Sequence, residues 1–175
     1  LYYGATLAHN AIEQAKPEGE RAALFTAADQ GRLRDRMNRE QRSYFAEADR
    51  RIFAALVRRA MELPKEQRIA SIDARFSGMT AEQIERNIAD MYAASPLFDA
   101  AARERMLGES LETLAARKDP LLDLGSAWNR DLRAQRERER EWTARAALYR
   151  PVWRRAVAAH AGKPIAPDAN GTLRV

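Results

Sequence analysis

A histidine and a glutamate one helical turn apart are the first candidates for chemistry in this sequence. His9 and Glu13 have the spacing at which one helix face can offer two ligands to a metal ion. The chain holds only two histidines and no cysteine, and no third ligand accompanies this pair. We therefore predict no metal site. The other histidine, His160, falls in the last turn of a predicted helix, where a partly charged imidazole favours the negative helix end.

Nucleophilic and acid–base groups are equally sparse. No serine occupies a strand–turn–helix elbow or a glycine-rich loop, and no phosphate-binding glycine motif is present. Glu137 and Glu141 alternate with arginines, which keep carboxylates ionised, whereas a general acid needs a raised pKa. We predict no catalytic residue and no cofactor-binding residue in this chain. The six serines of the chain, none of them in such a motif, are Ser43, Ser71, Ser77, Ser95, Ser110 and Ser126.

The positive charge of the chain is the next possible sign of function. The formal net charge is +5, and 26 of the 30 basic residues are arginine. Together with abundant alanine, this bias is typical of GC-rich coding and only weakly indicates a nucleic-acid partner. Trp142, Tyr149 and Trp153 are spaced seven and four residues apart, which favours a packing stripe of the core over a nucleic-acid platform. No apolar run approaches the roughly 18 residues that span a bilayer, so we predict no membrane span.

Proline, glycine and capping residues divide the chain into predicted helices. Thr80 and Gln83 form a capping-box pattern, while Ser95-Pro96 and Asp119-Pro120 each place a cap before a proline at the first helical position. Pro151 is the only interruption expected in the last helix, which Gly162 closes. The predicted helices cover 1–15, 18–31, 33–63, 67–74, 80–94, 96–107, 109–116 and 121–160.

Apolar residues mark the inward face of these helices. In the segment 33–63 they recur at spacings of three and four residues, and in 80–94 the inward positions are Ile84, Ile88 and Met91. The predicted fold is an all-α antiparallel array of seven or eight helices with no internal strand. The face predicted within 33–63 consists of Phe45, Ile52, Phe53, Leu56, Val57 and Ala60.

The ending of the chain departs from this helical pattern. The segment "PDANGTLRV", residues 167–175, combines turn signals with the opening of a β-strand, and a strand needs neighbours to satisfy its backbone groups. "GKPIAPDANGTLRV", residues 162–175, resembles the helix-to-strand return of the bacterial dipeptidyl-peptidase seven and eleven family. Gly171 departs from that family pattern, where a larger residue is expected. The matching residues are Pro167, Asp168, Ala169, Asn170, Thr172, Leu173 and Arg174.

Two further stretches agree with this resemblance. "AKPEGERAALF", residues 15–25, is similar to a Lys-Pro-acid turn of the family, and "ARKDPLLDL", residues 116–124, resembles its Asp-Pro helix start. The family consists of serine exopeptidases in which a helical domain is inserted into a chymotrypsin-like double β-barrel. The resemblance implies a helical cap domain at 1–162 and a return segment at 163–175 leading to a barrel outside this chain.

The resemblance also implies an activity for the parent protein. Family members release dipeptides from free N-termini of peptides with a Ser-His-Asp triad. The histidine and aspartate are expected upstream of Leu1 and the serine downstream of Val175, so the fragment alone should be inactive. The family holds the substrate amine with an asparagine in a motif that Asn10 lacks, and we transfer no binding residue.

Partners and location follow only from the same resemblance. It implies a peptide substrate, a homodimer, and a periplasmic or cell-surface location, although this fragment carries no signal peptide. An alternative stays open: a basic helical interaction module that binds nucleic acid or an acidic protein through arginine-rich faces. A structural scaffold is a third, weaker possibility.

Overall fold

The computed structural model describes residues 1–162 and confirms the all-α fold. This part of the chain contains eight α-helices and no β-strand. The extended segment predicted at 163–175 lies outside the described residues. The helices are α1 (Tyr2–Gln14), α2 (Gln30–Arg42), α3 (Ala46–Met61), α4 (Ala70–Phe76), α5 (Ala81–Ala94), α6 (Ala100–Met106), α7 (Leu111–Ala116) and α8 (Pro120–Ala161). Short 3₁₀ turns lie at Glu18–Glu20, Ala27–Asp29, Lys65–Gln67 and Pro96–Phe98.

The chain forms two units, an N-terminal unit at Leu1–Leu132 and a C-terminal unit at Arg133–Val175. The N-terminal unit contains all seven shorter helices and the beginning of α8, and these elements bury one apolar core. The most deeply buried large apolar side chains of this core are Leu7, Leu33, Met37, Val57, Phe76, Ile88, Met91, Met106, Leu114, Leu121 and Leu122.

Helix α5 forms as its sequence predicts. The Gln83 N–H donates to the Thr80 hydroxyl (3.3 Å), and the Thr80 N–H donates to the Gln83 side-chain oxygen (2.8 Å). This capping box satisfies two backbone donors that the first helical turn leaves without partners. Ile84, Ile88 and Met91 are all buried, so the predicted inward face is confirmed.

The two proline-bearing caps meet in the core. The Ser95 hydroxyl accepts from the Leu97 N–H (3.3 Å) and donates to the Asp119 carboxylate (2.7 Å). The other Asp119 oxygen accepts the N–H groups of Leu121 (2.9 Å) and Leu122 (3.1 Å) at the start of α8. The buried Ser95–Asp119 pair therefore caps both the 3₁₀ turn at Pro96–Phe98 and helix α8.

Pro96 opens a 3₁₀ turn rather than an α-helix, and α6 begins only at Ala100, so the single helix predicted at 96–107 is wrong.

The helix predicted at 18–31 is also wrong, because side chains take the backbone groups that a helix would need. A Glu13 oxygen accepts the Ala22 N–H (2.8 Å), and a Glu18 oxygen accepts the Ala27 N–H (2.7 Å). Leu24 adopts a left-handed conformation with φ of 81°. These contacts hold an irregular segment between α1 and α2, and Gly31 lies inside α2 instead of ending a helix.

The long helix predicted at 33–63 is divided into α2 and α3. Phe45 is extended (φ −121°, ψ 104°), and the Ser43 hydroxyl donates to the Glu40 carbonyl at the end of α2. Tyr44 stacks on Phe98 with ring centroids 4.7 Å apart, and this tertiary contact fixes the break.

The interruption predicted at Pro151 is likewise wrong, since α8 continues through that residue to Ala161.

Helices α1 and α8 cross at backbone contact. A Cβ placed on Gly125 would lie 2.8 Å from the Gly4 carbonyl carbon, and one placed on Gly4 would lie 2.8 Å from the Leu121 oxygen. Neither position has room for a side chain. The two glycines therefore allow the first helix and the start of the last helix of the N-terminal unit to touch directly.

Candidate functional site

An apolar groove on the N-terminal unit is the main candidate site. It encloses about 440 Å³ between the start of α1, one face of α3 and the beginning of α4. Leu56 is 62% exposed in this groove, and Ile52 and Ile69 are also exposed. Large apolar side chains gathered on a surface in this way mark contact sites. The apolar side chains lining the groove are Leu1, Tyr2, Ile52, Phe53, Leu56, Val57, Ala60, Ile69, Ile72, Tyr92 and Trp128.

One carboxylate, Asp49, also lines this apolar groove. It accepts a hydrogen bond from the Tyr92 hydroxyl. Burial, followed by that hydrogen bond, raises the pKa of Tyr92, so the phenol remains a neutral donor. Tyr92 also stacks on Phe98, with ring centroids 5.1 Å apart. The buried Tyr2 hydroxyl has no hydrogen-bond partner among the residues that the structure describes. The groove can therefore hold apolar groups beside a polar rim. Such a site is suited to binding a ligand rather than to covalent chemistry.

The sequence analysis predicted a shared helix face within 33–63 but did not predict this groove. Of the predicted face in 33–63, only Val57 is buried, Phe53 and Ala60 are half-buried, and Phe45, Ile52 and Leu56 are exposed. Helical periodicity shows that residues share a face, but it does not show whether another element covers that face. No signal in the sequence singles out Asp49 or Tyr92.

A second exposed apolar surface lies on α8 within the C-terminal unit, where the sequence predicts core. Trp142 is 72% exposed, and Tyr149 and Trp153 are similarly exposed, so the prediction of a buried stripe is wrong. The described part of this unit is a single helix, which provides no second element of its own to cover the rings. We call Trp142, Tyr149 and Trp153 the aromatic stripe.

His9 and Glu13 do come together, but their contacts are structural. The His9 Nε2 lies 3.6 Å from a Glu13 oxygen, and Glu13 also accepts from Lys16 Nζ (2.6 Å) and from the Ala22 N–H (2.8 Å). The His9 ring packs 4.3 Å from the Phe25 ring. Within residues 1–162, no group of three or more histidine, cysteine, aspartate or glutamate side chains could hold a metal.

The ionisation of Glu13 reflects the balance of these contacts. Burial acts to raise the pKa of Glu13, but the hydrogen bonds from Lys16 and the Ala22 N–H outweigh it and hold the pKa below its ordinary value. The carboxylate therefore stays ionised and joins α1 to the irregular segment after it. Such a group stabilises structure and is not suited to general acid catalysis.

The remaining candidates also have structural positions. Ser110 caps α7 by accepting the Thr113 N–H (3.1 Å), and Glu137 and Glu141 are exposed. Asn10 is buried; it donates to the Leu107 carbonyl (2.9 Å) and accepts from Gln30 (3.0 Å). His160 lies in the last turn of α8, as predicted.

Comparison with known proteins places these observations in a family. The sequence model described as Peptidase S46 matches residues 1–175, the whole chain. An Asp/Glu-specific dipeptidyl-peptidase of Shewanella putrefaciens is similar, with 26% identity over 169 residues. That alignment covers 94% of this chain but 23% of the relative, so the chain spans less than a quarter of the relative's length. None of the helices between residues 1 and 162 is both long and apolar enough to cross a membrane.

Proposed function

This chain belongs to the Peptidase S46 family, and from that membership we propose that it is the helical cap of a dipeptidyl peptidase. The observation that carries the proposal is the family match over residues 1–175, of which the structure describes 1–162 as an all-α array. The cap covers the active-site cleft, limits access to chain ends, and moves relative to the catalytic barrel when substrate enters.

The chemistry of the proposed enzyme is supplied by residues outside this chain. In this proposal the parent is a serine exopeptidase that removes dipeptides from free N-termini, with its triad on a barrel on either side of the helical domain. The structural roles found for His9, Glu13, Ser95 and Ser110 agree with a cap that contributes no nucleophile or base. A periplasmic or cell-surface location and a homodimer belong to the same proposal.

The exposed apolar surfaces suit a covering domain. A cap must contact either the peptide or the rest of the enzyme, and the groove around Leu56 and the aromatic stripe provide apolar area for such contacts. A domain that served only as a soluble spacer would have little reason to expose them. The alternative of a nucleic-acid-binding module is less favoured, because the family match supports a peptidase.

The direct test is an activity assay on the parent open reading frame. We expect release of dipeptides from a peptide with a free amino terminus and none from the same peptide acetylated there. Activity should disappear when the triad serine that the proposal places downstream of Val175 is changed to alanine. Cleavage of both peptides, or of neither, would contradict a dipeptidyl peptidase.

The role of the cap needs a separate variant. Removal of the helical domain from a parent whose barrel still folds should relax the requirement for a free amino terminus, because the cleft would no longer be closed over chain ends. A barrel that kept its full preference without the helices would rule out this role. Circular dichroism of the truncated protein establishes that the barrel is folded.

A further inference from the structure

A cleft lined by arginines lies between α3 and α5, away from the apolar groove. These two helices are antiparallel neighbours, because Asp49 near the start of α3 bonds Tyr92 near the end of α5, and Arg58 near the end of α3 pairs with Glu85 near the start of α5. The cleft holds about 520 Å³. Its lining includes four arginines, one glutamate and two alanines.

Small side chains give the cleft its depth. Ala54 on α3 and Ala89 on α5 are both among the lining residues, and neither fills the space between the helices as a larger side chain would. Arg50, Ala54 and Arg58 follow one another at four-residue spacing, so they share a face of α3. Arg86 approaches from α5. Guanidinium groups from both α3 and α5 therefore border the same cleft.

Two of these arginines lie in no ion pair within residues 1–162. Arg58 pairs with Glu85 (2.9 Å), and Arg51 pairs with Glu47 (2.5 Å). Arg50 and Arg86 form no ion pair with any residue in the described part of the chain.

A further acid, Glu82, interacts with Arg86 through charge but forms no ion pair with it. Glu82 lies one turn before Arg86 on α5, but its carboxylate accepts from the Thr80 hydroxyl (2.8 Å). On opposite walls the cleft thus has two arginines without an ion pair in the described residues, Arg50 and Arg86, of which Arg86 is partly offset by Glu82. Beside them lie two exposed ion pairs that contribute little energy of their own.

We propose that this cleft binds the carboxylate side chains of an acidic peptide segment. A guanidinium group matches a carboxylate with two parallel N–H···O bonds, and two guanidinium groups across one hollow fit neighbouring acidic side chains of a peptide. No aromatic ring lines the cleft, whereas single-stranded nucleic acids are held by stacking on such rings as well as by charge. This site goes beyond the proposed peptidase function, since it needs neither a free amino terminus nor a catalytic group.

The experiment measures binding of a labelled tetraglutamate peptide, blocked at both ends, to the complete chain at low ionic strength. The blocked ends make the peptide unsuitable for dipeptide release, so the result is independent of the proposed peptidase activity. Fluorescence anisotropy should show saturable binding that weakens with added salt, and a blocked tetraglutamine peptide should not bind.

Matched double variants locate the site. R50Q together with R86Q should raise the Kd by about tenfold or more, the order expected for one lost charged hydrogen bond. R39Q together with R42Q removes the same charge from two exposed α2 arginines that also form no ion pair within residues 1–162, and it should leave the Kd within about twofold. Circular dichroism checks that both variants keep the wild-type helix content.

Three results would overturn the proposal. They are absence of saturable tetraglutamate binding, equal weakening by the two double variants, and tighter binding of a single-stranded oligonucleotide through Arg50 and Arg86. The last result would assign the cleft to a nucleic acid instead of an acidic peptide.

Discussion

Helix α5 and the C-terminal half of α8 carry similar apolar patterns but have opposite surroundings. In α5, Ile84, Ile88 and Met91 are all buried against the rest of the N-terminal unit. In the C-terminal unit, Trp142 and Trp153 repeat at helical spacing and are exposed. The difference arises from what lies opposite each face, because the described part of the C-terminal unit is one helix alone.

This contrast separates two kinds of apolar face. A face covered by its own unit contributes to folding through the surface that it removes from water. A face left uncovered contributes little to the stability of that unit and remains available for contact with another surface. The groove around Leu56 shows that the second kind also occurs within the N-terminal unit.

The largest expected contrast comes from removing one side chain from each helix. I88A should lower the free energy of unfolding by about 2–5 kcal/mol, because it leaves a cavity in a close-packed core. W153A should change it by no more than about 0.5 kcal/mol, since exposed substitutions have small effects. Urea denaturation of both variants measures these values. Similar losses in the two variants would show that the aromatic stripe is covered in this chain.

A smaller difference in the free energy of unfolding is expected between variants of two glutamates. Glu13 is buried and hydrogen-bonded, whereas Glu141 is exposed. E13Q should cost about 1.5–3 kcal/mol at neutral pH, the range for hydrogen bonds to charged groups. E141Q should cost little, because substitutions of exposed side chains usually change stability by no more than about 0.5 kcal/mol.

The pH dependence of that contrast has a defined sign. The pKa of Glu13 in the folded state lies below the ordinary value of 4.5. Its stabilising contribution is therefore complete above pH 4.5 and is lost as the pH falls through the folded-state pKa. Urea denaturation at several pH values should show the wild type and E13Q converging in acid. A constant gap between them would contradict this account of Glu13.

The contrast with the smallest expected destabilisation concerns glycines in two helices. G125A should destabilise by about 1–3 kcal/mol, because the new methyl group meets the α1 backbone, which cannot move as a side chain can. G31A in α2 meets nothing within 4 Å and should stabilise by up to about 1 kcal/mol through helix propensity. Thermal unfolding of the two variants should shift in opposite directions. A neutral or stabilising G125A would mean that α1 and α8 do not cross at this point.

The sequence predicts the helices whose boundaries are set locally. The Thr80 capping box and the Asp119 cap act within a few residues of their own backbone, so they can be recognised without tertiary information. Ser95 is recognised as a cap in the same way, although the element that it opens is a 3₁₀ turn. The irregular segment after α1 depends on Glu13 reaching Ala22, and the break before α3 accompanies the stacking of Tyr44 on Phe98. Each of these contacts joins residues from different elements, and hydrophobic periodicity describes only one element at a time. The sequence pattern therefore does not predict them.

The candidate surfaces are less predictable than the helices. Leu56 and Val57 are neighbours with similar side chains and both line the groove, yet Leu56 is exposed and Val57 is buried. Only the packing of α3 against its neighbours distinguishes them. The arginine cleft has the same limitation, because Arg50 and Arg86 are far apart in sequence and meet through the pairing of α3 with α5. The motifs at 162–175 carry the family resemblance but no information about these surfaces.

The backbone contact between Gly4 and Gly125 has a consequence for the order of folding. It closes a loop of about 120 residues, and bringing the ends of such a loop together costs about 4 kcal/mol of chain entropy. Contacts between helices close in sequence, such as α3 with α4 and α3 with α5, have shorter loops to close and can form earlier. Docking of α1 onto α8 should therefore come after the transition state. A disturbance at this crossing should then accelerate unfolding while leaving the folding rate nearly unchanged.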